Sequence, residues 1–313
     1  MRSNGNTHAH VCVGDRGKGK IFMETFFSPN PETNPRRTTM ILVAASSKDM
    51  AGTNIAKQVL NNYPFSKTAE TYQENPVYSA EINGKQIHLV TLKDESICAQ
   101  NLPEHFNSLE IVVFLSRHSS QSGKPTLSVH TPGNFANAEL GGLPRRLSVS
   151  PAAAMHDALK ALAQFKTEMK LDYEVSYECT HHGPSLNVPT MFVELGSSPK
   201  QWSDHKAAEA VAKAAMDAII KFQASNQTAA LGIGGPHYNP KFTKMTLEND
   251  TLFGHIIPKY ALSHVDAEIL QQCVERTQEK VDHAILDWKG IKGEDKPKIL
   301  EALAEINLPY QKF

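Results

Sequence analysis

Short apolar runs that end in histidine, serine, glycine or proline recur along this chain, and no other feature narrows the fold as much. The runs Met40 to Ala45, Gln86 to Leu92, Glu110 to Leu115, Leu127 to His130, Val175 to Glu178, Thr190 to Leu195, Ala229 to Ile233 and Ala284 to Trp288 read as buried strands. Stretches with helical spacing lie between several of them. After Ser150, Pro151 takes the first helical position, and Met155, Leu159, Leu162, Phe165 and Met169 form one core-facing stripe. After Ser198 a helix opens on Pro199, with Gln201 placed for a capping box, and runs through an alanine-rich stretch to Phe222. Strands alternating with helices predict an α/β fold, a single large domain with a mostly parallel or mixed central sheet flanked by helices.

A chain of 313 residues can bury a core without covalent staples, and with 40% hydrophobic and 21% charged residues it has ordinary globular usage. The apolar run Ile111 to Leu115 falls far short of the roughly 20 residues that cross a bilayer as a helix, so no membrane association is expected. Cys12, Cys98, Cys179 and Cys273 form no CxxC pair and no hydrophobic signal segment leads the chain, which predicts a reducing, cytoplasmic location, with the nucleus open as well. Residues 1–39, rich in Asn, Gly, Pro, Thr and basic side chains, read as a flexible extension ahead of a catalytic domain over 40–313. Organellar targeting by that stretch stays open, although Asp15, Glu24 and Glu32 interrupt it; His8, His10 and Cys12 resemble a metal tract of the incidental kind. A formal charge of -1 argues against a grip on nucleic acid by overall positive field, so any RNA contact is expected to be local.

In open α/β sheets ligands collect outside the carboxyl ends of the strands, and there this chain places its polar residues. Ile111 to Leu115 leads into Ser116, Arg117, His118, Ser119 and Ser120. Leu127 to Val129 leads into His130 and Thr131, and Val175 to Glu178 into Cys179, Thr180, His181 and His182. Glu194 lies inside an apolar run, Gly234, Gly235, His237 and Tyr238 follow Ile233, and Gly254 and His255 follow Phe253. Imidazoles with a carboxylate are the usual ligands of a catalytic zinc ion. Against this, a lone strand-end histidine is more often a hydrogen-bonded structural residue. Adjacent His181 and His182 would face opposite sides of a strand, and can share a site only if Gly183 and Pro184 have turned the backbone. Glu194 needs a metal, a cation or a structural donor. His88, His105, His156, His205, His264 and His283 read as structural or solvated. Gly141, Gly142, Arg145 and Arg146 form a small basic turn that would suit a phosphate, unless the arginines are simply solvated. Gly232, Gly234 and Gly235 would allow close approach of a substrate. A Walker motif, a dinucleotide fingerprint and a Gly-x-Ser-x-Gly elbow are absent.

Six stretches, SRHSS at Ser116 to Ser120, VHTPGN at Val129 to Asn134, THHGP at Thr180 to Pro184, FVELGS at Phe192 to Ser197, GIGGPHY at Gly232 to Tyr238 and GHIIPKY at Gly254 to Tyr260, resemble in order those of the archaeal and plant D-aminoacyl-tRNA deacylases. The resemblance implies a fold similar to the phosphorylase and peptidyl-tRNA hydrolase type. It also implies zinc-dependent hydrolysis of the ester joining a D-amino acid to tRNA, aldehyde-modified D-amino acids included, as a translation quality-control activity. Carried onto the matched motifs, one or two Zn2+ would be held by residues among His118, His181, His182, Glu194 and His237. His181, His182, Glu194 and Ser119 would be catalytic, with Glu194 as base and Ser119 or the amides near Gly234 and Gly235 steadying an oxyanion. Arg117, Arg145, Arg146, Gly234, Gly235 and Tyr238 would contact substrate. The implied partner is D-aminoacyl-tRNA, with no stable protein partner and a monomer or homodimer as assembly. The rivals are a nucleoside phosphorylase, a metal-free peptidyl-tRNA hydrolase, and a non-catalytic RNA-binding module whose histidines are structural.

Overall fold

The structure, a computed structural model, describes residues 39–313, so the expected extension over residues 1–39 lies outside it apart from its last residue. Strands β1 (Met40–Ser46), β2 (Ser66–Tyr72), β3 (Asn75–Ile82), β4 (Lys85–Leu92), β5 (Leu109–Arg117), β6 (Thr126–His130), β7 (Glu174–Tyr177) and β8 (Thr190–Gly196) form one sheet in the order β2-β3-β4-β1-β5-β8-β6-β7. A second sheet, all parallel, holds β9 (Thr228–Ile233), β10 (Phe253–Ile257), β11 (Lys280–Leu286) and β12 (Tyr310–Lys312) in the order β10-β9-β11-β12. Helices α1 (Met50–Asn62), α2 (Leu102–His105), α3 (Ala152–Glu168), α4 (Pro199–Trp202), α5 (His205–Lys221), α6 (Pro240–Asn249), α7 (Ala267–Glu275) and α8 (Asp295–Glu305) accompany them. The α/β class holds, with a large mixed sheet flanked by helices and a smaller sheet beside it.

Alternation within the strands divides the core. Val113 and Leu115 of β5, Leu127 and Val129 of β6, and Met191, Val193 and Leu195 of β8 pack with α3 and α5. Val112, Phe114 and Phe192 point to the opposite face. Where α3 meets α5, Ala154, Ala158, Ala161, Ala208, Ala212 and Ala215 are all buried in the same core, and side chains this small let the two backbones approach closely.

Local chemistry sets several ends. Pro151 sits at the cap of α3 rather than inside it, and the first amides, of Ala152 and Ala153, donate to the Glu279 carboxylate at 2.9 and 3.0 Å. The single helix expected after Ser198 is two. Ser198 bonds the Gln201 side chain instead of a backbone amide, α4 stops at Trp202, and Asp204 caps a new helix by accepting from Lys206 N and Ala207 N. The last expected strand, Ala284 to Trp288, is displaced toward the N-terminus, because Asp287 accepts from Gly290 N and turns Trp288 into a short 3-10 helix.

Strand direction corrects a premise. β1, β4, β5 and β8 run parallel, but β6 is antiparallel to β8, and β7 follows β6. The carboxyl ends of β6 and β7 therefore leave by the edge opposite to those of β5 and β8. Residues from all four strands cannot gather on one rim; they can meet only across a face.

Candidate active site

Register decides which polar residues meet. Ser116, Glu194 and Ser128 stand level on β5, β8 and β6. One step along, Phe114, Phe192 and His130 form the next row, with His130 stacked on Phe192 at 5.1 Å and 11° between planes. These residues share the face opposite the α3–α5 core. Glu178 joins from the end of β7, where its amide bonds Val129 O at 3.1 Å. Both carboxylates are buried, Glu178 1% and Glu194 2% exposed.

Four further imidazoles close over this row. His118 follows β5, His237 follows the turn after β9, and His181 and His182 follow Cys179. The expected backbone turn occurs at His182 itself, whose φ of 42° lies in the left-handed region, and it brings the rings of His181 and His182 to 4.2 Å. His181 also lies 4.3 Å from His130 and 4.5 Å from His237, centroid to centroid. His130, His181 and His182 each turn Nδ1 to a main-chain carbonyl, of Thr131 at 3.2 Å, Cys179 at 2.8 Å and Gly183 at 2.6 Å. A carbonyl only accepts, so Nδ1 carries a proton, and it is Nε2 that offers a lone pair when the ring is neutral. The candidate ligand atoms of these three histidines lie within 4.8 Å of one another. The buried Nε2 of His130 has no hydrogen-bond partner.

His118 and His237 are held differently. His118 Nδ1 lies 2.9 Å from Glu178 Oε1 and 3.6 Å from Glu194 Oε2, and its Nε2 meets the Tyr238 hydroxyl. His237 Nε2 lies 2.9 Å from Glu178 Oε2, while its Nδ1 faces Cys179 Sγ at 3.2 Å and Tyr260 Oη at 3.0 Å. Ser128 donates to the remaining lone pairs of Glu178. Burial alone would lower His118, but the Glu178 hydrogen bond and charge, reinforced by Glu194, outweigh it and push the imidazolium up to about 9. Burial opposes charge on His237 as well; Cys179 and Glu178 outweigh it and raise it to about 11. Glu178, despite its burial, is held well below the usual carboxylate range by His118 and then His237. Burial, followed by the neighbouring His182 and His130, pushes His181 well down, and burial with His130 lowers His182 to about 4. The site thus splits into neutral imidazoles offering lone pairs and a buried pair of carboxylates that draws positive charge, as protons or as a cation.

Two cavities open here. One of about 330 Å³ is lined by His118, Ser119, Arg117, His181, His182, Glu194 and His237, and a second of about 480 Å³ by His181, His182, Phe135, Leu140, Tyr260 and His264. The fold therefore brings together His118, His181, His182, Glu194, His237 and Ser119. Arg117 lines the smaller cavity, but its guanidinium is engaged by Glu95 at 3.1 Å and lies 3.9 Å from Asp49. Tyr238 reaches the site through His118. Neither cavity is lined by the other expected substrate contacts. Arg145 is bonded to Asp266 at 2.8 Å and Glu268 at 2.9 Å, and Arg146 to Asn187 at 3.0 Å. Gly234 and Gly235, at φ 101° and 81°, turn the chain after β9, and the Gly234 amide is spent on Ile257 O at 2.8 Å, so it donates to no oxyanion.

Sequence reasoning lists His130 and Cys179 among the strand-end residues without carrying them into the site, and gives Glu178, Ser128 and Tyr260 no role there. The signal for Glu178 was present: like Glu194, it closes an apolar strand where a lone carboxylate is costly. Its importance is concealed because its partners come from β5, β6 and the turn after β9.

Residues 105–311 match the model of the D-aminoacyl-tRNA deacylase family. A D-aminoacyl-tRNA deacylase of Thermococcus onnurineus is 39% identical over 272 residues, 85% of this chain and 97% of its own. Its namesake in Methanocaldococcus jannaschii is 33% identical over 281 residues, 87% of this chain and 98% of its own. A crystal structure described as a conserved protein of unknown function superposes with a TM-score of 0.77 at 32% identity, covering 88% of this chain and 95% of that one. These likenesses span most of each partner, and on that ground the chain belongs to the D-aminoacyl-tRNA deacylase family.

Proposed function

We propose that this deacylase works with a zinc ion held by the Nε2 atoms of His130, His181 and His182, beside the Glu178–Glu194 pair. The observation that carries the reading is the shared setting of those three rings: each Nδ1–H is fixed on a carbonyl, which is how metal-binding imidazoles are commonly oriented, and the buried Nε2 of His130 makes no hydrogen bond and lies 3.8 Å from Glu194 Oε1. Three neutral ligands with an open side suit a catalytic zinc centre. When bound there, Zn2+ would act as a Lewis acid and lower the pKa of water toward about 7.

The chain's own residues then divide the proton work. Glu194, whose oxygens lie 3.6 Å from His118 Nδ1 and 3.8 Å from His130 Nε2, has lone pairs free to take the proton of the attacking water. His118, held protonated by Glu178, would return a proton from Nε2 by way of the Tyr238 hydroxyl to the ribose oxygen as the ester C–O bond breaks. Ser119, exposed on the wall of the 330 Å³ cavity, would donate to the oxyanion. The products are a D-amino acid and tRNA with its terminal hydroxyl restored.

The 480 Å³ cavity, on the other side of His181 and His182, has room for an amino-acid side chain and a substituent on its amine. That supports extending the reading to aldehyde-modified D-aminoacyl-tRNA and to translation quality control. The test is elemental analysis of the purified chain together with deacylation of matched D- and L-aminoacyl-tRNA before and after chelation. Loss of D-specific turnover on chelation, restored by Zn2+, is expected; full turnover in metal-free protein refutes the zinc assignment.

A further inference from the structure

We infer that the surface around Trp288, at the end of the second sheet, receives the single-stranded 3′ tail of the tRNA substrate. Lys296 Nζ and Lys312 Nζ lie 4.5 and 3.9 Å from the centre of the same indole ring. Among the described residues, neither ammonium has a carboxylate within ion-pair distance. Of the neighbouring carboxylates, Asp287 is bonded to Lys241 and Glu294 lies 3.6 Å from Lys292, while Asp295, next to Lys296 in the chain, forms no ion pair with it. Two like charges held against one indole ring repel each other, and an anion beside them relieves the repulsion. Beside them Tyr310 and Phe313 are 42% and 56% exposed, and Lys241 stands 5.6 Å over the Phe313 ring.

Open aromatic rings among unpaired lysines are the features that bind single-stranded nucleic acid, with bases stacking on the rings and phosphodiesters meeting the ammoniums. Exposed aromatics carry no charge preference, but the unneutralised lysines select a polyanion. The location fits the reaction. The amide of Asp287 bonds Ile233 O at 2.8 Å, so the patch adjoins the strand end from which Gly234, Gly235 and Pro236 lead to His237. A tail lying here would point its esterified end at the histidines. With a formal charge of -1 over the whole chain, such a local concentration is what an RNA grip requires.

The inference takes the deacylase substrate as given, and its test separates the two. Full-length wild type, K296E/K312E and Y310A/F313A are titrated with uncharged tRNA, intact or trimmed of its 3′-terminal nucleotides, and assayed on D-aminoacyl-tRNA. K296E/K312E should weaken intact tRNA about tenfold near 0.1 M salt and flatten the log affinity against log salt slope by about 2. Both variants should raise KM with kcat nearly unchanged, and trimming should abolish the difference from wild type. K296R/K312R should restore binding. Unchanged tRNA affinity in both variants, or an equal loss on trimmed tRNA, overturns the assignment. A wild-type chain that binds tRNA through this patch but does not deacylate it would refute the activity and leave the surface intact.

Discussion

Replacing Glu178 with glutamine keeps the volume and removes the charge around which His118 and His237 are arranged. In metal-free protein the consequence for stability has a definite sign. His118 is raised from 6.5 to about 9 in the fold, so it adds stability that is complete below the unfolded value and disappears as pH rises through about 9. Two and a half units at 1.36 kcal/mol each give about 3.4 kcal/mol for this histidine, shared between Glu178, the closer partner, and Glu194. Through His118 alone, Glu178→Gln should therefore destabilise the chelated protein by about 2 to 3 kcal/mol near pH 6.5 and by little near pH 10; His237, raised to about 11 partly by the same carboxylate, adds a further loss that also shrinks with rising pH but persists past pH 10. Urea unfolding of both proteins across that range in chelator reads the difference directly. A loss of equal size at both ends of the range would refute the electrostatic account and assign the cost to the lost hydrogen-bond geometry of the Ser128 contact.

Other perturbations separate ligands from scaffolding. His130→Ala, which removes the Nε2 that makes no hydrogen bond, should reduce bound zinc and lower turnover by about 100-fold, measured on one preparation by elemental analysis and deacylation. Arg145→Ala should leave KM for tRNA within about twofold, because the side chain is spent on Asp266 and Glu268; a large rise in KM would restore it as a phosphate contact. His255 is buried, bonds Thr180 and Arg276 O, and is lowered to about 4, chiefly by burial. Its neutral form adds stability that is complete above about pH 6.5 and lost toward pH 4, so His255→Gln should flatten the acid side of the stability curve, as thermal melts from pH 7 to 5 would record. Gly142, at φ 77°, lies where a Cβ would come within 2.8 Å of Asn134 Nδ2 and Ser185 Oγ, and Gly142→Ala should cost about 2 kcal/mol or more by denaturant titration.

Much of this architecture was legible, for reasons visible in single elements. Strands buried on both faces, such as Ile111 to Leu115 in β5, announce themselves as unbroken apolar runs. Less buried strands do not. β2 reads Ser-Lys-Thr-Ala-Glu-Thr-Tyr with only Tyr72 buried, and neither it nor β3 was anticipated, although Asn83–Gly84, at φ 52° and 75°, is a strong hairpin turn signal between β3 and β4. β10 escaped because its five residues contain Gly254 and His255, and β12 because its three residues are exposed. Among site residues, histidines beside glycine and proline were found because their neighbours mark turns. Glu178 and His130 stand at strand ends, just after β7 and as the last residue of β6, and local pattern cannot tell a terminal structural polar residue from a central functional one.

The deeper reason lies in the direction of β6 and β7. A sheet parallel throughout would have offered its polar strand ends along one edge, as the sequence pattern suggested. Inserting an antiparallel strand beside β8 instead sets Ser128 level with Glu194, and His130 level with Phe192, so that a strand end from one edge meets the middle of a strand bound for the other. The carboxylates consequently sit inside the protein, 1% and 2% exposed, where ionisation is tolerated only opposite positive charge. Burial of that kind favours protons or a cation beside the carboxylates, and the 330 Å³ cavity opens on the side of His181, His182 and Ser119. Only part of the cluster is strand-borne: His130 and Glu194 lie in β6 and β8, whereas His118, His181, His182 and His237 sit on connections, so loss of the strand-borne part should coincide with global unfolding of the large sheet and not precede it. Hydrogen exchange of the Val129 and Glu194 amides at the rate of the most protected core residues is the expected result, and earlier opening of these two strands would contradict the argument.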